Sequence, residues 1–236
     1  MTADPPPSGA EFDAYATGYH TALDKGLSLS GEDSTFFAVG RVDWLRHRLQ
    51  ELGHTATAVL DYGCGTGSTA PLLLELPGAQ RVVGTDASAA LLEIATREQH
   101  SDRVSFVPLS TPLTAVADVA YCNGVFHHIP LARRADAVQH IVRAMRPGGV
   151  LALWENNPWN PGTRLIMRRI PFDRDAVMVA PAEARRLVTD AGLAVVSTDF
   201  RFYFPAPLRR LRPLEPHLRR LPLGAQYLVL ARKPSP

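Results

Sequence analysis

Lysine is almost missing from this sequence. Lys25 and Lys233 are the only two among 236 residues, and arginine supplies nearly all the basic charge. No lysine-rich arm is present to track a polyanion, and a formal net charge of +2 adds little pull of its own. Nucleic acid is therefore not an expected partner. Cysteine is scarce as well. Cys64 and Cys122 each fall beside an expected strand end, which leaves no disulfide framework. No apolar run reaches the roughly 20 residues that span a bilayer. No charged, apolar and small-residue leader opens the chain, so a cytoplasmic location and no membrane partner are expected. No segment repeats.

What is present is an ordinary globular mixture, 46% hydrophobic and 20% charged. The length suits one domain with a large core. Residues 1–10, with Pro5-Pro6-Pro7 and then Ser8-Gly9, read as a disordered tail. Residues 11–54 read as an N-terminal helical cover. Phe12, Tyr15, Tyr19 and Leu23 recur at spacings of three and four, the mark of an amphipathic helix. A second helix is expected over 32–52, with Ser30 or Asp33 as its cap and Gly53 as its stop.

Residues 55–236 alternate between strand and helix. Strands are expected at 56–61, 81–86, 104–107, 118–122, 150–154, 193–200 and 225–231. Helices are expected at 68–76, 87–99, 131–145 and 181–191. Alternation of this kind calls for a mostly parallel sheet with helices on both faces. No helix is expected between the last two strands, so they pair antiparallel. Two irregular insertions, about 155–175 and 202–222, sit where open α/β sheets bind ligands or close beside it.

The chain is organised around Val59-Leu60-Asp61-Tyr62-Gly63-Cys64-Gly65-Thr66-Gly67. Apolar residues run into an acid, and glycine then takes every second position. That is a buried strand turning sharply into a helix, with main chain open to a ligand and free N–H groups ahead of it. Asp86 follows Gly67 by 19 residues and ends the next strand, where it suits two ribose hydroxyls. A nicotinamide dinucleotide is the rival ligand, but its fingerprint spaces the glycines as G-x-G-x-x-G. A P-loop is excluded, since no Gly-Lys-Ser/Thr follows. Cys64 lies inside the turn and has no room to act as a nucleophile.

The segment from Val59 to Gly67 resembles the first motif of the class I S-adenosylmethionine (SAM)-dependent methyltransferases. Asp86-Ala87-Ser88 resembles their ribose-binding motif. Asn123-Gly124-Val125-Phe126-His127-His128 resembles the segment after their fourth strand, and Arg146-Pro147-Gly148-Gly149 the turn before their fifth. The N-terminal run around Phe12, Asp13 and Tyr19 is similar to small-molecule methyltransferases of bacterial biosynthesis. The resemblance implies a Rossmann-like seven-stranded sheet with an antiparallel last strand. It implies SAM as methyl donor, S-adenosylhomocysteine as product and no metal. Gly63, Gly65 and Gly67 would admit the methionine part, with Tyr62 and Cys64 lending backbone groups. Asp61 would anchor the turn and the ligand ammonium. Asp86 would take the ribose, and Ala87, Leu109 and Ser110 would border the adenine. Asn123 would lie near the sulfonium, and Tyr19 would close over the ligand.

SAM carries an activated methyl, so much of the rate can come from holding an acceptor in line and dry. If the acceptor is a hydroxyl, a base helps. His127 and His128 are candidates by position and by unperturbed pKa, and Glu155 is another. A metal held by the two histidines is not expected, because adjacent residues point apart and no acid cluster joins them. Trp159, Arg164, Arg168 and Tyr203 are the candidates for acceptor binding, suiting a small anionic or aromatic molecule. The fold alone leaves open a non-methylating SAM enzyme or a non-catalytic scaffold. The protein is expected to be a monomer or homodimer.

Overall fold

The computed structural model describes residues 12–235. The tail expected at 1–10 lies outside them. Seven strands form one sheet: β1 (Ala58–Tyr62), β2 (Arg81–Asp86), β3 (Val104–Pro108), β4 (Ala117–Asn123), β5 (Met145–Asn156), β6 (Ala194–Arg201) and β7 (Gln226–Arg232). Their order is β3-β2-β1-β4-β5-β7-β6. Strands β3 to β5 pair parallel. Strand β7 lies between β5 and β6 and runs antiparallel to both.

Every residue of β1 is buried, as expected for a central strand covered on two faces. Alternate side chains point to opposite faces, and two cores result. Leu60 and Tyr62 join Val138, Ile141 and Val188 on one side. Val59 joins Leu45, Leu49, Leu73 and Trp154 on the other. Leu45 and Leu49 are fully buried, and cutting either to alanine costs about 2–5 kcal/mol.

Among the described residues the α-helices are α1 (Tyr19–Leu27), α2 (Ser34–Glu51), α3 (Ala70–Leu73), α4 (Ala89–Glu98), α5 (Arg134–Ala144), α6 (Pro161–Met167), α7 (Pro181–Asp190) and α8 (Glu215–Leu218). The cover helix α2 starts as its sequence dictates. Asp33 caps it, accepting from Phe36 N–H at 2.8 Å. Its buried face, from Phe37 through Val42, Leu45 and Leu49, keeps helical spacing.

Four elements differ from expectation for local reasons. Helix α3 is shorter than 68–76, because the chain beyond Leu73 tightens into turns in which Glu75 N–H donates to Leu72 and Leu76 N–H to Leu73. Strand β5 begins at Met145, since 146–149 bulges out between two stretches of β4 pairing. The insertion after β5 contains helix α6, which Asn160 caps by accepting from Thr163 N–H at 2.9 Å. The insertion after β6 contains a 3-10 helix, Ala206–Leu214, followed by α8. The buried Glu215 carboxylate anchors that insertion by accepting from the backbone N–H groups of Phe202, Tyr203 and Phe204.

Candidate active site

The three turn glycines all take left-handed backbone angles, with φ of +73°, +55° and +71° at Gly63, Gly65 and Gly67. Their roles then separate. A Cβ on Gly67 would come within 2.5 Å of the Phe106 ring and 3.0 Å of Ala95, so this glycine serves packing against β3 and α4. A Cβ on Gly63 would meet Val125 at 2.3 Å, whereas Gly65 has nothing within 4 Å. Gly63 and Gly65 line a cavity of about 700 Å³ over the C-terminal ends of β1, β2 and β4.

Tyr62, Asp86, Ala87, Leu109, Ser110 and Asn123 line the same cavity. Asp86 accepts from Gly65 N–H at 2.8 Å and from Ser88 N–H at 2.9 Å. Burial raises its pKa, and those hydrogen bonds oppose the rise. Leu109 N–H donates to the Asp86 carbonyl at 2.9 Å, which fixes the loop beside the acid.

Asp61 lines an adjoining cavity of about 160 Å³ with Cys64, Thr66, Arg41 and Tyr121. It is 3% exposed, and its Oδ2 has no hydrogen-bond partner. Burial, helped by the charge of Asp86 and opposed by Arg41, pushes its pKa up to about 7. A buried carboxylate oxygen left unpaired is costly, so this atom calls for a cationic or N–H donor. Burial also lifts the Cys64 thiol well above its ordinary range, which suppresses thiolate chemistry there.

The N-terminal cover closes over these cavities. Asp13 accepts from Ser88 Oγ and from Ala90 N–H, tying the segment before α1 to the start of α4. His20 Nε2 lies 2.8 Å from Thr66 Oγ1 in the glycine turn. Tyr19 stacks on Phe172 with ring centroids 4.8 Å apart, and Phe12 meets the His128 ring edge-on at 4.9 Å.

A third cavity, of about 120 Å³, lies under α1, α2 and α6. Tyr19 and Asn123 line all three spaces and so stand at their meeting point. Leu23, Phe37, Ile166, Met167 and Ile170 give the third cavity apolar walls. Arg41 gives it a cation. That side chain is buried, and donates from Nε to Tyr121 Oη and from Nη1 to Gln226 Oε1, both at 3.1 Å. Among the described residues it has no ion pair with an acid.

The histidine pair is held by two carboxylates. Glu155 accepts from Phe126 N–H and faces His127 Nδ1, each at 2.7 Å. Asp173 lies 3.5 Å from His127 Nε2 and 3.1 Å from His128 Nε2. The two rings therefore converge on one acid, which corrects the expectation that they point apart. His127 Nε2, His128 Nε2 and Asp173 Oδ1 all lie within metal-ligand reach of one another. Burial alone would lower the His127 pKa, but Glu155 and Asp173 together raise it to about 10. Burial would raise the Asp173 pKa, yet hydrogen bonds from both histidines bring it down to about 2. His128 is different: burial and then the charge of His127 lower its pKa. Its ring lines both the large and the third cavity.

The other candidates fall elsewhere. Glu155 is fully buried beneath the histidines and lines none of the three cavities, so it anchors rather than faces an acceptor. Arg164 and Arg168 are exposed, because α6 turns Thr163, Ile166 and Met167 inward instead. Trp159 is exposed beside Phe200. Tyr203 Oη donates to the backbone carbonyls of Leu218 and Leu221 and lines none of the three cavities. Sequence reasoning missed Arg41, Asp173, Phe172 and Gln226 as lining residues. Only Arg41 left a signal, an arginine on the apolar face of an amphipathic helix.

Sheet order, glycine turn and the two acids resemble those of class I, SAM-dependent methyltransferases. Residues 60–151 match the family described as a methyltransferase domain. Among curated proteins, the chain is 31% identical over 122 residues to trans-aconitate 2-methyltransferase of Azoarcus sp. (strain BH72), a match that covers 49% of this chain and 46% of that protein. The corresponding enzyme of Variovorax paradoxus (strain S110) is 30% identical over 117 residues, covering 49% and 44%. The chain thus spans about half the length of the curated relatives it matches. Among solved structures, human N-acetylserotonin methyltransferase in complex with SAM superposes with a TM-score of 0.62 at 18% identity, covering 95% of this chain and 59% of that one. A methyltransferase complexed with the Haloferax volcanii Trm112 activator superposes with a TM-score of 0.63 at 21% identity, covering 97% and 98%.

Proposed function

We propose that this protein is a SAM-dependent methyltransferase acting on a small acceptor that carries an anionic group. The unpaired Oδ2 of buried Asp61 carries the donor half of this reading, because a ligand ammonium would satisfy it. Gly65 leaves main chain bare for close approach, and Asp86 stands ready for vicinal hydroxyls. A solved neighbour that contains SAM supports the same ligand. Bound SAM supplies an activated methyl group.

This chain's own residues then hold the acceptor and exclude water. Tyr19 and Asn123 border both the donor spaces and the third cavity, so a methyl passing between them has a short path. Arg41 gives the third cavity a buried cation suited to a carboxylate. His128, neutral and held at Nε2 by Asp173, takes the proton when the acceptor is a hydroxyl. His127 and Glu155 act as positioning residues beneath it. The name of the curated relatives, trans-aconitate 2-methyltransferase, makes a small polycarboxylate the natural first probe.

Calorimetry with SAM and S-adenosylhomocysteine tests the donor site. Methyl-labelled SAM with a panel of small carboxylates, starting from trans-aconitate, tests the reaction. The expected result is binding of both nucleosides and transfer of label. Arg41→Ala is expected to weaken acceptor use about 10- to 100-fold, the scale of one lost charge-assisted contact. SAM binding with no label in any product would sink the methyl-transfer reading and favour another reaction on the same fold.

A further inference from the structure

The 3-10 helix Ala206–Leu214 carries its apolar side outward. With three residues per turn, Leu208, Leu211 and Leu214 recur on one side, apart from a kink at Leu208. They are 48%, 41% and 51% exposed. The exposed apolar chain continues past α8, where Leu221 and Leu223 are 48% and 64% exposed. The Leu223 carbonyl accepts from Asn160 Nδ2 at 2.7 Å, which brings exposed Trp159 alongside. These side chains are on a held frame. Glu215 anchors the backbone from beneath, and Arg212 pairs with Glu32 at 2.6 Å.

Charge on the same segment has one sign. Residues 206–223 contain Arg209, Arg210, Arg212, Arg219 and Arg220, and their one acid, Glu215, is buried. Arg212 pairs with Glu32 and Arg219 with Glu51, which leaves Arg209, Arg210 and Arg220 exposed. Helix α6, next to Trp159, adds exposed Arg164, Leu165 and Arg168. Exposed arginines thus stand beside exposed leucines in both segments.

We propose that this leucine–arginine face docks the protein on an anionic lipid surface. Leucine and tryptophan side chains suit the boundary between headgroups and acyl chains. Arginines lay their stems along apolar surface while the guanidinium meets phosphate. The alternation of the two residue types fits lipid better than the apolar centre of a protein interface, where charge is depleted. Among the described residues no helix is long and apolar enough to cross a membrane, and the proposed contact is with the lipid surface. Helix α6 links the face to the site, since its inner side roofs the third cavity.

The test is co-sedimentation of the full chain with phosphatidylcholine vesicles made with and without phosphatidylglycerol. Binding is expected only with the anionic lipid, and weaker as salt rises. The double variants Leu211→Ser/Leu214→Ser and Arg209→Glu/Arg210→Glu should each lower affinity at least about tenfold, with the melting temperature and SAM binding unchanged. Absence of wild-type binding to anionic vesicles overturns the proposal. So does equal binding by the variants. Light scattering supplies the remaining arm: a dimer that the leucine double variant dissociates would reassign the face to self-association. Because the test reads lipid binding, it stands or falls independently of methyl transfer.

Discussion

Asp61 concentrates the tension of the site in one carboxyl. Its pKa rises to about 7 because burial, with Asp86 next to it, penalises the charge more than Arg41 favours it. The native protein therefore holds a proton that the unfolded chain has released once the pH exceeds the ordinary carboxylate range. The stability that this group contributes to the ligand-free protein falls as pH rises from about 4 to 7 and is flat beyond. Asp61→Asn removes that penalty, so it should raise the melting temperature at pH 8 and leave it nearly unchanged at pH 4. The same variant should lose SAM binding, by at least about tenfold in calorimetry, since a neutral amide replaces the partner of an ammonium. In the wild type, SAM affinity should rise with pH up to about 7, by as much as tenfold per unit, because the cation needs the ionised acid.

Gly65 and Gly67, neighbours in the glycine turn but opposite in surroundings, make a second residue-scale contrast. Gly67→Ala forces a methyl to within 2.5 Å of the Phe106 ring on a backbone that disfavours side chains. It should cost about 1–3 kcal/mol of stability or more. Gly65→Ala meets open space, so its stability cost is limited to backbone strain of about 1–2 kcal/mol. Its ligand affinity should suffer more, because the methyl occupies the cavity. Denaturant unfolding and SAM titration on the two variants separate the roles, and matching profiles would refute them.

At the scale of elements, the cover is a latch as well as a roof. Asp13 bridges the chain before α1 to the start of α4 through Ser88 and Ala90, on the rim of the large cavity. Asp13→Ala should release that segment with little effect on the melting temperature, because the core is untouched. SAM should then dissociate several-fold faster in stopped-flow fluorescence, on the scale of one lost cap of about 1 kcal/mol. Unchanged dissociation would show that the aromatic stack of Tyr19 on Phe172 suffices alone.

The elements were legible in the sequence to unequal degrees. The alternation of apolar strand and helix set the core, and Val59 to Gly67 with Asp86 marked the floor of the large cavity, because strand burial and left-handed glycines leave local signatures. The third cavity left few. Arg164 and Arg168 were reasonable candidates, yet α6 rotates them to solvent and turns Thr163, Ile166 and Met167 inward. That rotation depends in part on how the Leu223 carbonyl holds Asn160 at the start of the helix, a contact across 63 residues of chain. Asp173 is likewise distant in sequence from the histidines it joins. Neither relation has a periodicity to read.

The molecule as a whole inherits its pH limits from the buried ion network. His127 titrates near 10 instead of its ordinary 6.5, so its contribution is complete below about 6.5 and is lost as pH rises through 10. Asp173 titrates near 2, so its contribution is present above about 4 and is lost as pH falls through 2. Glu155→Gln leaves a cation short of a partner and should destabilise the protein by about 3 kcal/mol at pH 7. The deficit should shrink near pH 10, where His127 is losing its proton in either protein. A thermal-unfolding series across pH checks this, and a deficit independent of pH would assign the loss to packing instead.

The position of β7 has a consequence in time. It is made after both of its neighbours, yet it fills the slot between β5 and β6, with Tyr227 to Ala231 fully buried. Until β7 emerges from the ribosome, β5 has an open edge and β6 has no neighbour. The nascent chain must carry that raw hydrogen-bonding edge in the meantime. Chaperone demand should therefore peak between the making of β6 and of β7, and a chain cut just before Gln226 should aggregate.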